Sequence, residues 1–325
     1  MSTAFVTGGS GFLGRALIRE LRERGQEVRA LARSEAAKAA VREAGAEPVA
    51  GDLDDTAALR EGMTGCDVVY HSAAHVKLWG PREDFFRVNV AGTKNALEQA
   101  RAAGVKTFVH VSTEAVLAGE RPIVNADETV PRAEHPAGLY PLTKGLAEEI
   151  VIAANSPTLR TVIVRPRFIW GKGDTTVLPE FVAAVKSGLF LWMNGGRHLT
   201  STCHVKNVCE GMILAAERGK GGHIYFLTDG PPLPMREFLT ALLKTQGVTP
   251  PDKNVPSWLV RGIARALEAM WGPLGIEMDP PINYTVVKLM GEEVTVNDAK
   301  ARRELGYTGR VTREEGLREL AEAGD

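Results

Sequence analysis

The feature that most constrains this chain is a glycine-rich turn between a short apolar run and a helical pattern. Residues 4–6 are apolar and predict a buried strand, and residues 12–24 have helical periodicity. We expect Gly8 to permit the turn, Gly11 to let the backbone approach a pyrophosphate, and Gly14 to allow close packing of helix on strand. The N–H groups at the start of such a helix favour phosphate. The segment therefore predicts a dinucleotide site.

Strand and helix signals alternate through the first half of the chain. Further strands are predicted at residues 27–32, 47–50, 67–71, 107–111 and 161–164, and helices at 35–44, 82–103 and 139–154. Strands separated by helices indicate a parallel sheet that is covered on both faces. We therefore predict an α/β fold with a Rossmann-type, doubly wound parallel sheet.

The pattern loosens after Pro166, where prolines and glycines cluster. We predict a dinucleotide-binding domain over residues 1–166 and a smaller, discontinuous, mainly substrate-binding region over residues 167–325. Within that second region, residues 198–228 are predicted to return to the first domain.

The bulk composition narrows the function classes. The 325 residues carry 39 basic and 40 acidic side chains, a formal net charge of -1, which gives no reason to expect nucleic acid or an anionic membrane as the main partner. The three cysteines are odd in number and lack a metal-ligand pattern, so we expect a thiol-reducing compartment and no metal. The first predicted strand leaves no room for a signal peptide, and no apolar run approaches the roughly 20 residues of a membrane span. We expect a cytoplasmic protein.

The end of the second predicted strand indicates which dinucleotide binds. An acidic residue there would bond the ribose 2′-hydroxyl of NAD(H), but this chain has Arg33 followed by Ser34. A guanidinium suits the extra phosphate of NADP(H), which we predict as the preferred cofactor, with NAD(H) as the alternative. A solvated surface arginine is the other interpretation of Arg33. Asp52 and Leu53, after the third strand, are placed to flank the adenine.

Tyr140 and Lys144 are separated by four residues and therefore share one helix face. Pro141 fits the first helical turn, where an N–H group has no intrahelical partner to lose. A free tyrosine has a pKa of roughly 10, too high for efficient proton transfer at neutral pH, and a nearby ammonium lowers that value. The pair predicts a proton-transfer group beside the nucleotide.

These motifs make the chain similar to a known superfamily. It resembles the extended short-chain dehydrogenases/reductases, which include the NAD-dependent epimerases and dehydratases, and within them the 3β-hydroxysteroid dehydrogenase-like branch. The matching segments are residues 7–14, 51–53, 71–74, 88–93, 111–113, 140–144, 165–166, 170–174, 204–208 and 300–307.

The resemblance implies a role for each catalytic residue. Tyr140 is the implied general acid/base, and Lys144 contacts the ribose and tunes Tyr140. Thr113 takes the place of the hydroxyl that hydrogen-bonds the substrate oxygen, with Ser112 as the alternative and strand-end capping as the other role open to both. Asn89 matches a structural asparagine near the site, or is an interior amide bonded to backbone.

The implied cofactor contacts extend along the predicted sheet. Ala73, Ala74 and Pro166 match positions that line the nicotinamide end. Together, the pattern and the resemblance give as cofactor-binding residues Gly8, Ser10, Gly11, Phe12, Leu13, Gly14, Arg33, Ser34, Asp52, Leu53, Ala73, Ala74, Tyr140, Lys144 and Pro166.

Three functions fit this superfamily: carbonyl reduction or alcohol oxidation, nucleotide-sugar epimerisation or dehydration, and non-catalytic regulation. Dehydratases need two acidic groups after the Thr113 position, and this chain has Glu114 followed by Ala115. The Arg-Asp pair that sugar-nucleotide enzymes carry before the His204 block is also missing. Regulatory relatives often lose the Tyr or Lys. The sequence therefore favours hydride transfer between NADP(H) and a ketone or secondary alcohol.

The substrate is predicted to be hydrophobic: a steroid, a β-keto acid or a dihydroflavonol-like ring. Residues 258–271 place Trp258, Leu259, Ile263, Leu267, Met270 and Trp271 near one helical face, which suits a core helix, a substrate lid or a peripheral membrane contact. Trp79 is a candidate aromatic wall or a plain loop anchor. The resemblance further implies a homodimer formed through helices 82–103 and 139–154.

Overall fold

The computed structural model describes residues 2–271 and 280–322. Its strands are β1 (Thr3–Thr7), β2 (Glu27–Ala32), β3 (Glu47–Ala50), β4 (Val68–His71), β5 (Thr107–Val111), β6 (Ile123–Ala126), β7 (Arg160–Pro166), β8 (Ile169–Trp170), β9 (Trp192–Met193), β10 (Leu199–Thr200), β11 (Cys203–His204), β12 (Ile224–Leu227), β13 (Leu233–Pro234), β14 (Asn254–Val255) and β15 (Val294–Val296).

Helices connect and cover these strands. They are α1 (Phe12–Glu23), α2 (Glu35–Glu43), α3 (Thr56–Met63), α4 (Arg82–Phe85), α5 (Gly92–Ala102), α6 (Leu139–Ala153), α7 (Val177–Lys186), α8 (Val205–Arg218), α9 (Met235–Lys244), α10 (Ser257–Trp271), α11 (Tyr284–Met290), α12 (Ala299–Leu305) and α13 (Arg313–Glu322). Short 3₁₀ segments occupy Glu114–Leu117 and Asn194–Gly196, and a π-helical turn occupies Phe86–Ala91.

The large sheet is parallel throughout and has the order β12-β7-β5-β4-β1-β2-β3. The chain runs outward from β1 to β3 and then returns to place β4 on the other side of β1. In open α/β sheets ligands bind at the carboxyl edge where the strand order reverses. The predicted doubly wound sheet is confirmed, and its switch point lies between β1 and β4.

Alternate residues of the strands enter two separate cores. Val6 belongs to the apolar cluster under α1 and α8, whereas its neighbour Phe5 belongs to the cluster under α3 and α5. The same alternation separates Val109 from Phe108 on β5. Successive side chains of a strand point to opposite faces of the sheet. When both faces are buried, every position is apolar, and the strand is a continuous apolar run.

The second half of the chain contributes to both regions. β12 pairs with β7, with Ile224 opposite Ile163, and α8 packs on the same sheet. Both elements lie within residues 198–228, the segment expected to return to the first domain. A separate four-stranded sheet has the order β13-β10-β15-β6. The two-domain division itself stays a prediction.

Two elements differ from the sequence prediction. α3 was not predicted, although Asp55 precedes it and accepts a hydrogen bond from the Ala58 N–H (3.0 Å), as a helix N-cap does. The single regular helix expected over residues 82–103 is wrong in its middle. There the backbone forms the π-helical turn, within which Asn89 lies.

Candidate active site

The glycine turn closes tightly on itself and on the loop after β4. Gly8 has φ +72°, and a Cβ added there would lie 2.8 Å from the Ala73 nitrogen. A Cβ on Gly14 would lie 2.1 Å from the Gly8 oxygen, so α1 can pack this closely only with glycine. Gly11 is the N-cap of α1, is exposed and has no side-chain cap. The N-terminus of α1 thus has no side-chain cap, which leaves its N–H groups available to a dinucleotide pyrophosphate.

The residues predicted to select the cofactor lie at the carboxyl ends of β2 and β3. Arg33 is exposed, and the Ser34 hydroxyl accepts a hydrogen bond from the Ala37 N–H (3.2 Å) as the N-cap of α2. Asp52 Oδ1 accepts from the Asp54 N–H (2.9 Å) and so shapes its own loop. Leu53 is buried. These positions share one sheet edge with the glycine turn.

The catalytic candidates also end strands of this edge or begin the helix beside it. Thr113 follows β5, Pro166 ends β7, and Ala73 and Ala74 follow β4. Tyr140 is the second residue of α6, as Pro141 predicts, and is half-buried. The fold therefore brings every predicted site residue to the carboxyl edge of one sheet or to an element beside it.

The half-buried Tyr140 side chain packs against the apolar cluster that contains Ala115 and Val116. Burial raises its pKa, the Glu114 carboxylate raises it further, and a hydrogen bond with the Thr113 side chain acts in the opposite direction. This shift is opposite to the lowering expected from Lys144. In the protein without cofactor, burial therefore favours the protonated phenol.

The Lys144 side chain extends from α6 to the last residues of β5. Its Nζ donates to the Val111 carbonyl oxygen (2.6 Å) and lies 3.4 Å from Nε2 of His110. The side chain is 2% exposed, and burial lowers its pKa to about 8 while Glu148 acts to raise it. The predicted tuning of Tyr140 by this ammonium stays a prediction for the enzyme with cofactor.

A histidine that the sequence analysis did not single out lies between β1 and α5. Nδ1 of His71 is 2.8 Å from the Thr7 hydroxyl, and its Nε2 is 3.0 Å from the Thr93 hydroxyl. Thr93 donates its own proton to the Asn89 carbonyl oxygen (2.7 Å), so His71 must donate from Nε2 and accept at Nδ1. Burial, with a smaller contribution from Lys144, lowers its pKa to about 3. His71 is therefore neutral and links Thr7 of β1 to Thr93 of α5 by hydrogen bonds.

Asn89 lies in the π-turn and is buried. Its Oδ1 accepts from the His75 N–H (2.7 Å), and its Nδ2 donates to the His75 carbonyl (3.2 Å) and to the Thr143 hydroxyl (3.0 Å). The amide thereby joins the loop after β4 to α6, one residue from Lys144. Both expected roles are present, because the amide bonds backbone and lies beside the site.

A buried ion pair adjoins Thr113. Glu114 Oε2 accepts from the Thr113 hydroxyl (2.8 Å), and Glu114 Oε1 accepts from Arg167 Nη1 (3.0 Å). Arg167 Nη2 in turn donates to the Leu289 carbonyl (2.6 Å) and the Thr200 hydroxyl (3.3 Å). Sequence reasoning considered Glu114 alone and missed its partner, which directly follows the Arg165-Pro166 motif.

The apolar side of α10 faces outward. The side chains of Trp258, Ile263 and Met270 are 69%, 45% and 56% exposed. Its charged side contacts the protein, where Glu268 Oε1 accepts from the Tyr284 N–H (2.6 Å). An ordinary core helix is therefore wrong for this segment, because the predicted apolar face is the solvent-facing one.

Exposed leucines extend this outward face. Leu189 and Leu191, 76% and 49% exposed, precede β9, which pairs with β14 immediately before α10. In the described ranges, no helix is both long enough and apolar enough to cross a membrane.

Comparison with known proteins connects this geometry to a family. Residues 5–256 match the 3-beta hydroxysteroid dehydrogenase/isomerase family. A 4-hydroxy-2-methyl-3-oxo-4-farnesyl-3,4-dihydroquinoline-1-oxide ketoreductase of Stigmatella aurantiaca is 52% identical over 98% of this chain and 96% of that protein. A 2-alkyl-3-oxoalkanoate reductase of Stenotrophomonas maltophilia is 35% identical over 97% of each.

Solved structures share the fold. The crystal structure of gox2253 covers 100% of this chain and 98% of its own, with a TM-score of 0.80 and 30% identity. The dTDP-glucose 4,6-dehydratase DesIV of Streptomyces venezuelae, solved with NAD bound, has a TM-score of 0.77 at 24% identity, over 98% of this chain and 96% of its own. This chain belongs to the 3-beta hydroxysteroid dehydrogenase/isomerase family of extended short-chain dehydrogenases/reductases, and it is an oxidoreductase that acts on hydroxyl or keto groups.

Proposed function

We propose that this protein reduces a ketone on a large apolar substrate, with NADPH as reductant and Tyr140 as proton donor. The observation that carries the proposal is the placement of Thr113 after β5, and of Tyr140 and Lys144 on α6, at the carboxyl edge that also holds the glycine turn. A protonated acid is the form needed to deliver a proton to a carbonyl oxygen. The similarity to a ketoreductase over nearly the whole chain supports the same direction.

Each residue has a definite task in this reaction. The turn containing Gly8, Gly11 and Gly14 and the start of α1 would hold the pyrophosphate, and Lys144 would bond the ribose. Reduced nicotinamide, when bound, supplies the hydride for the carbonyl carbon. Tyr140 donates its proton to the carbonyl oxygen, and Thr113 orients that oxygen by a hydrogen bond.

Arg33 is the residue that we expect to favour NADPH over NADH. It is exposed at the end of β2, where it has room to meet a 2′-phosphate, and the neighbouring Ser34 hydroxyl already caps α2. A planar guanidinium can bind a phosphate with two hydrogen bonds.

The relatives narrow the substrate class. The quinoline-oxide ketoreductase acts on a ring ketone that carries a farnesyl chain, and the second relative acts on an acyclic 3-oxo acid with an alkyl branch. Both substrates place a ketone beside a carbon that bears an apolar chain. We infer that this chain takes a ketone of that kind, and the higher identity favours the prenylated ring.

Nucleotide-sugar chemistry is the alternative that the fold leaves open. Elimination needs a free acid and a free base after Thr113. Here Glu114 is bonded to Arg167, and the next position, Ala115, carries no acid. This argues against a dehydratase.

A substrate screen tests the proposal. The purified protein with NADPH is offered farnesylated dihydroquinoline-oxide ketones, 2-alkyl-3-oxoalkanoates, oxosteroids, UDP-sugars and dTDP-sugars, while NADPH absorbance and the alcohol product are followed. We expect turnover of the apolar ketones. Turnover of nucleotide sugars alone would overturn the assignment.

The outward face of α10 is proposed to meet the lipid phase from which such a substrate comes. Trp258, Leu259, Ile263 and Met270 would lie in the membrane interface, as aromatic and aliphatic side chains of peripheral helices do. The protein would then be cytoplasmic and bind membranes reversibly.

We also expect a homodimer built from the stretches 82–103 and 139–154, whose helices contact each other in the protomer. Sedimentation equilibrium of the purified protein measures the mass directly, and a monomer at micromolar concentration would contradict this expectation.

A further inference from the structure

His110 lies on β5, is 0% exposed, and has no part in the reaction as described so far. Its Nδ1 atom is buried and has no hydrogen-bond partner within residues 2–271 and 280–322. Buried polar atoms of native proteins are almost always hydrogen-bonded, so an exception of this kind calls for an explanation. A phenylalanine ring would fill a similar space without an unpaired nitrogen.

The other ring nitrogen of His110 faces Lys144. Nε2 lies 3.4 Å from Lys144 Nζ, which also donates to the Val111 carbonyl oxygen (2.6 Å). An ammonium has three donors and no acceptor, so the lone pair of Nε2 must accept the hydrogen bond from Lys144. The single N–H proton of a neutral imidazole is then on Nδ1. The unpaired Nδ1 is therefore the consequence of a lone pair that is directed at Lys144.

The surroundings of His110 keep it neutral and fix its ring. Burial lowers the pKa of His110 well below its ordinary value, and the charge of Lys144 and then His71 lower it further. The ring stacks on that of His71, with centroids 5.3 Å apart and an angle of 22° between the planes. His71 is itself bonded to Thr7 (2.8 Å) and Thr93 (3.0 Å). His110 is therefore a neutral acceptor whose direction is set by a stacked pair of rings.

Other titratable groups act on Lys144 from its own helix and from β7. Glu148 lies one turn further along α6 and acts to raise the pKa of Lys144. Both carboxylate oxygens of Glu148 accept from the buried Arg165 of β7 (2.7 and 2.6 Å), which offsets its charge. Tyr140 lies one turn before Lys144 on α6. Within the described part of the chain, the side chain hydrogen-bonded to the ammonium itself is that of His110.

We propose that His110 is a positioning residue: with the Val111 carbonyl it engages two of the three N–H bonds of Lys144 and leaves the third for the ribose of the nucleotide. The proposal rests on the proposed function, in which Lys144 bonds the ribose. Lysine has a flexible four-carbon stem and donors that rotate, so an ammonium with one acceptor turns about that bond, whereas two acceptors fix it. No covalent bond changes in this role.

His110→Phe and His110→Gln separate the acceptor from the ring. Phenylalanine keeps a flat ring beside His71 but has no acceptor, whereas glutamine offers a side-chain oxygen in place of Nε2. We expect His110→Phe to raise the Kd for NADPH about tenfold and to lower kcat for ketone reduction by a similar factor, which corresponds to the loss of one hydrogen bond to a charged group. His110→Gln should keep both values closer to those of the wild type. Fluorescence titration and steady-state kinetics measure them.

A double-mutant cycle with Lys144→Met shows whether His110 acts through Lys144. Once the ammonium is gone, His110→Phe removes no bond from it, so its effect on the Kd for NADPH should shrink to about twofold or less. Melting temperatures of the four proteins record any general loss of stability. An equal effect of His110→Phe with and without Lys144→Met would show a structural role alone and would overturn the proposal.

Urea unfolding of the protein without cofactor gives a second, independent readout. Burial lowers the pKa of Lys144 to about 8 in the wild type. Loss of an acceptor disfavours the ammonium, so in His110→Phe the pKa of Lys144 should fall by about one further unit. The stability gained on adding Lys144→Met should then begin to decline at about pH 7 in the His110→Phe background, and at about pH 8 in the wild-type background.

His223→Phe is the control, because the His223 side chain is 39% exposed and lies beside Glu304 (3.6 Å), directly before β12. It should leave the Kd for NADPH and the pH window of unfolding as in the wild type. If His110→Phe also leaves both unchanged, the positioning role is wrong. Failure of the proposed function has a different signature: the wild type would not reduce apolar ketones. The unfolding measurement uses neither cofactor nor substrate, so it still tests the link between His110 and Lys144 in that case.

Discussion

The ammonium nitrogen of Lys144 lies 2.6 Å from the carbonyl oxygen of Val111, the last residue of the strand that leads to Thr113. Burial lowers the pKa of this lysine to about 8, from an ordinary value of roughly 10.4. Between these two pH values the unfolded chain binds the extra proton. The contribution of Lys144 to the free energy of unfolding therefore rises with pH across this window.

Lys144→Met removes that cost. At neutral pH we expect its free energy of unfolding to exceed the wild-type value by on the order of 1–2 kcal/mol, after loss of the Val111 bond is deducted. The advantage should shrink as the pH rises from about 8 to about 10. Urea unfolding of both proteins at a series of pH values measures this difference in the free energy of unfolding. Lys94→Met is the control, because the Lys94 side chain is 64% exposed. A difference that does not change with pH would contradict the prediction.

Tyr140→Phe should lower kcat for ketone reduction by about 10²- to 10⁴-fold and leave NADPH binding nearly unchanged, because the ring stays and the proton donor goes. Steady-state kinetics and a fluorescence titration with NADPH give the two values. Tyr225→Phe is the control, since that hydroxyl bonds Lys220 and Glu304 elsewhere in the fold. Activity within tenfold of wild type would exclude Tyr140 as the acid.

Gly14→Ala should open the glycine turn, because the new Cβ would lie 2.1 Å from the Gly8 oxygen. We expect a lower melting temperature and a loss of NADPH affinity of at least about tenfold. Gly262→Ala is the matched helical control, since its Cβ meets nothing within 4 Å and it should stabilise α10 by roughly 0.5–1 kcal/mol. Equal NADPH affinity in both variants would show that the turn does not form the phosphate site.

Arg33→Ala should raise KM for NADPH by about ten- to hundredfold and change KM for NADH little, because only NADPH carries the charged group that the guanidinium would bond. Steady-state kinetics with each cofactor measures the ratio. Arg42→Ala, in the last turn of α2, is the control. If the wild-type enzyme prefers NADH, Arg33 does not select NADPH.

Trp258→Ser combined with Ile263→Ser should reduce binding to phosphatidylglycerol–phosphatidylethanolamine vesicles by about tenfold or more, since two exposed apolar side chains leave the face. Co-sedimentation measures binding, and kcat on a short, water-soluble ketone should not change. Val124→Ser, an exposed valine on β6, is the control. If the wild-type protein stays in the supernatant when the vesicles are sedimented, the proposed membrane contact is wrong.

Local signals predicted the nucleotide half of the fold well. β2 and β3 have their predicted bounds because each is an extended run bracketed by glycine or polar residues, and the parallel order follows from their alternation with helices. Tyr140 and Lys144 were placed on one face of a helix by spacing alone, and both lie on α6.

What the sequence did not show depends on partners far along the chain. Glu114 and Arg167 are 53 residues apart, so neither signals the other before the chain folds. The face of α10 was predicted, but not its direction, because an amphipathic pattern does not say which side is buried. Here the buried positions of α10 are Ser257, Val260 and Ala264, and Glu268 bonds the Tyr284 N–H.

The bond from Arg167 to the Leu289 carbonyl bears on the synthesis of this protein. A ribosome that has released only the first half of the chain has already made Thr113, Tyr140 and Lys144. The nascent chain still lacks the carbonyl that orients Arg167, and it lacks β12, the last strand of the large sheet. The complete site is therefore expected to form only after Leu289 and β12 have been synthesised.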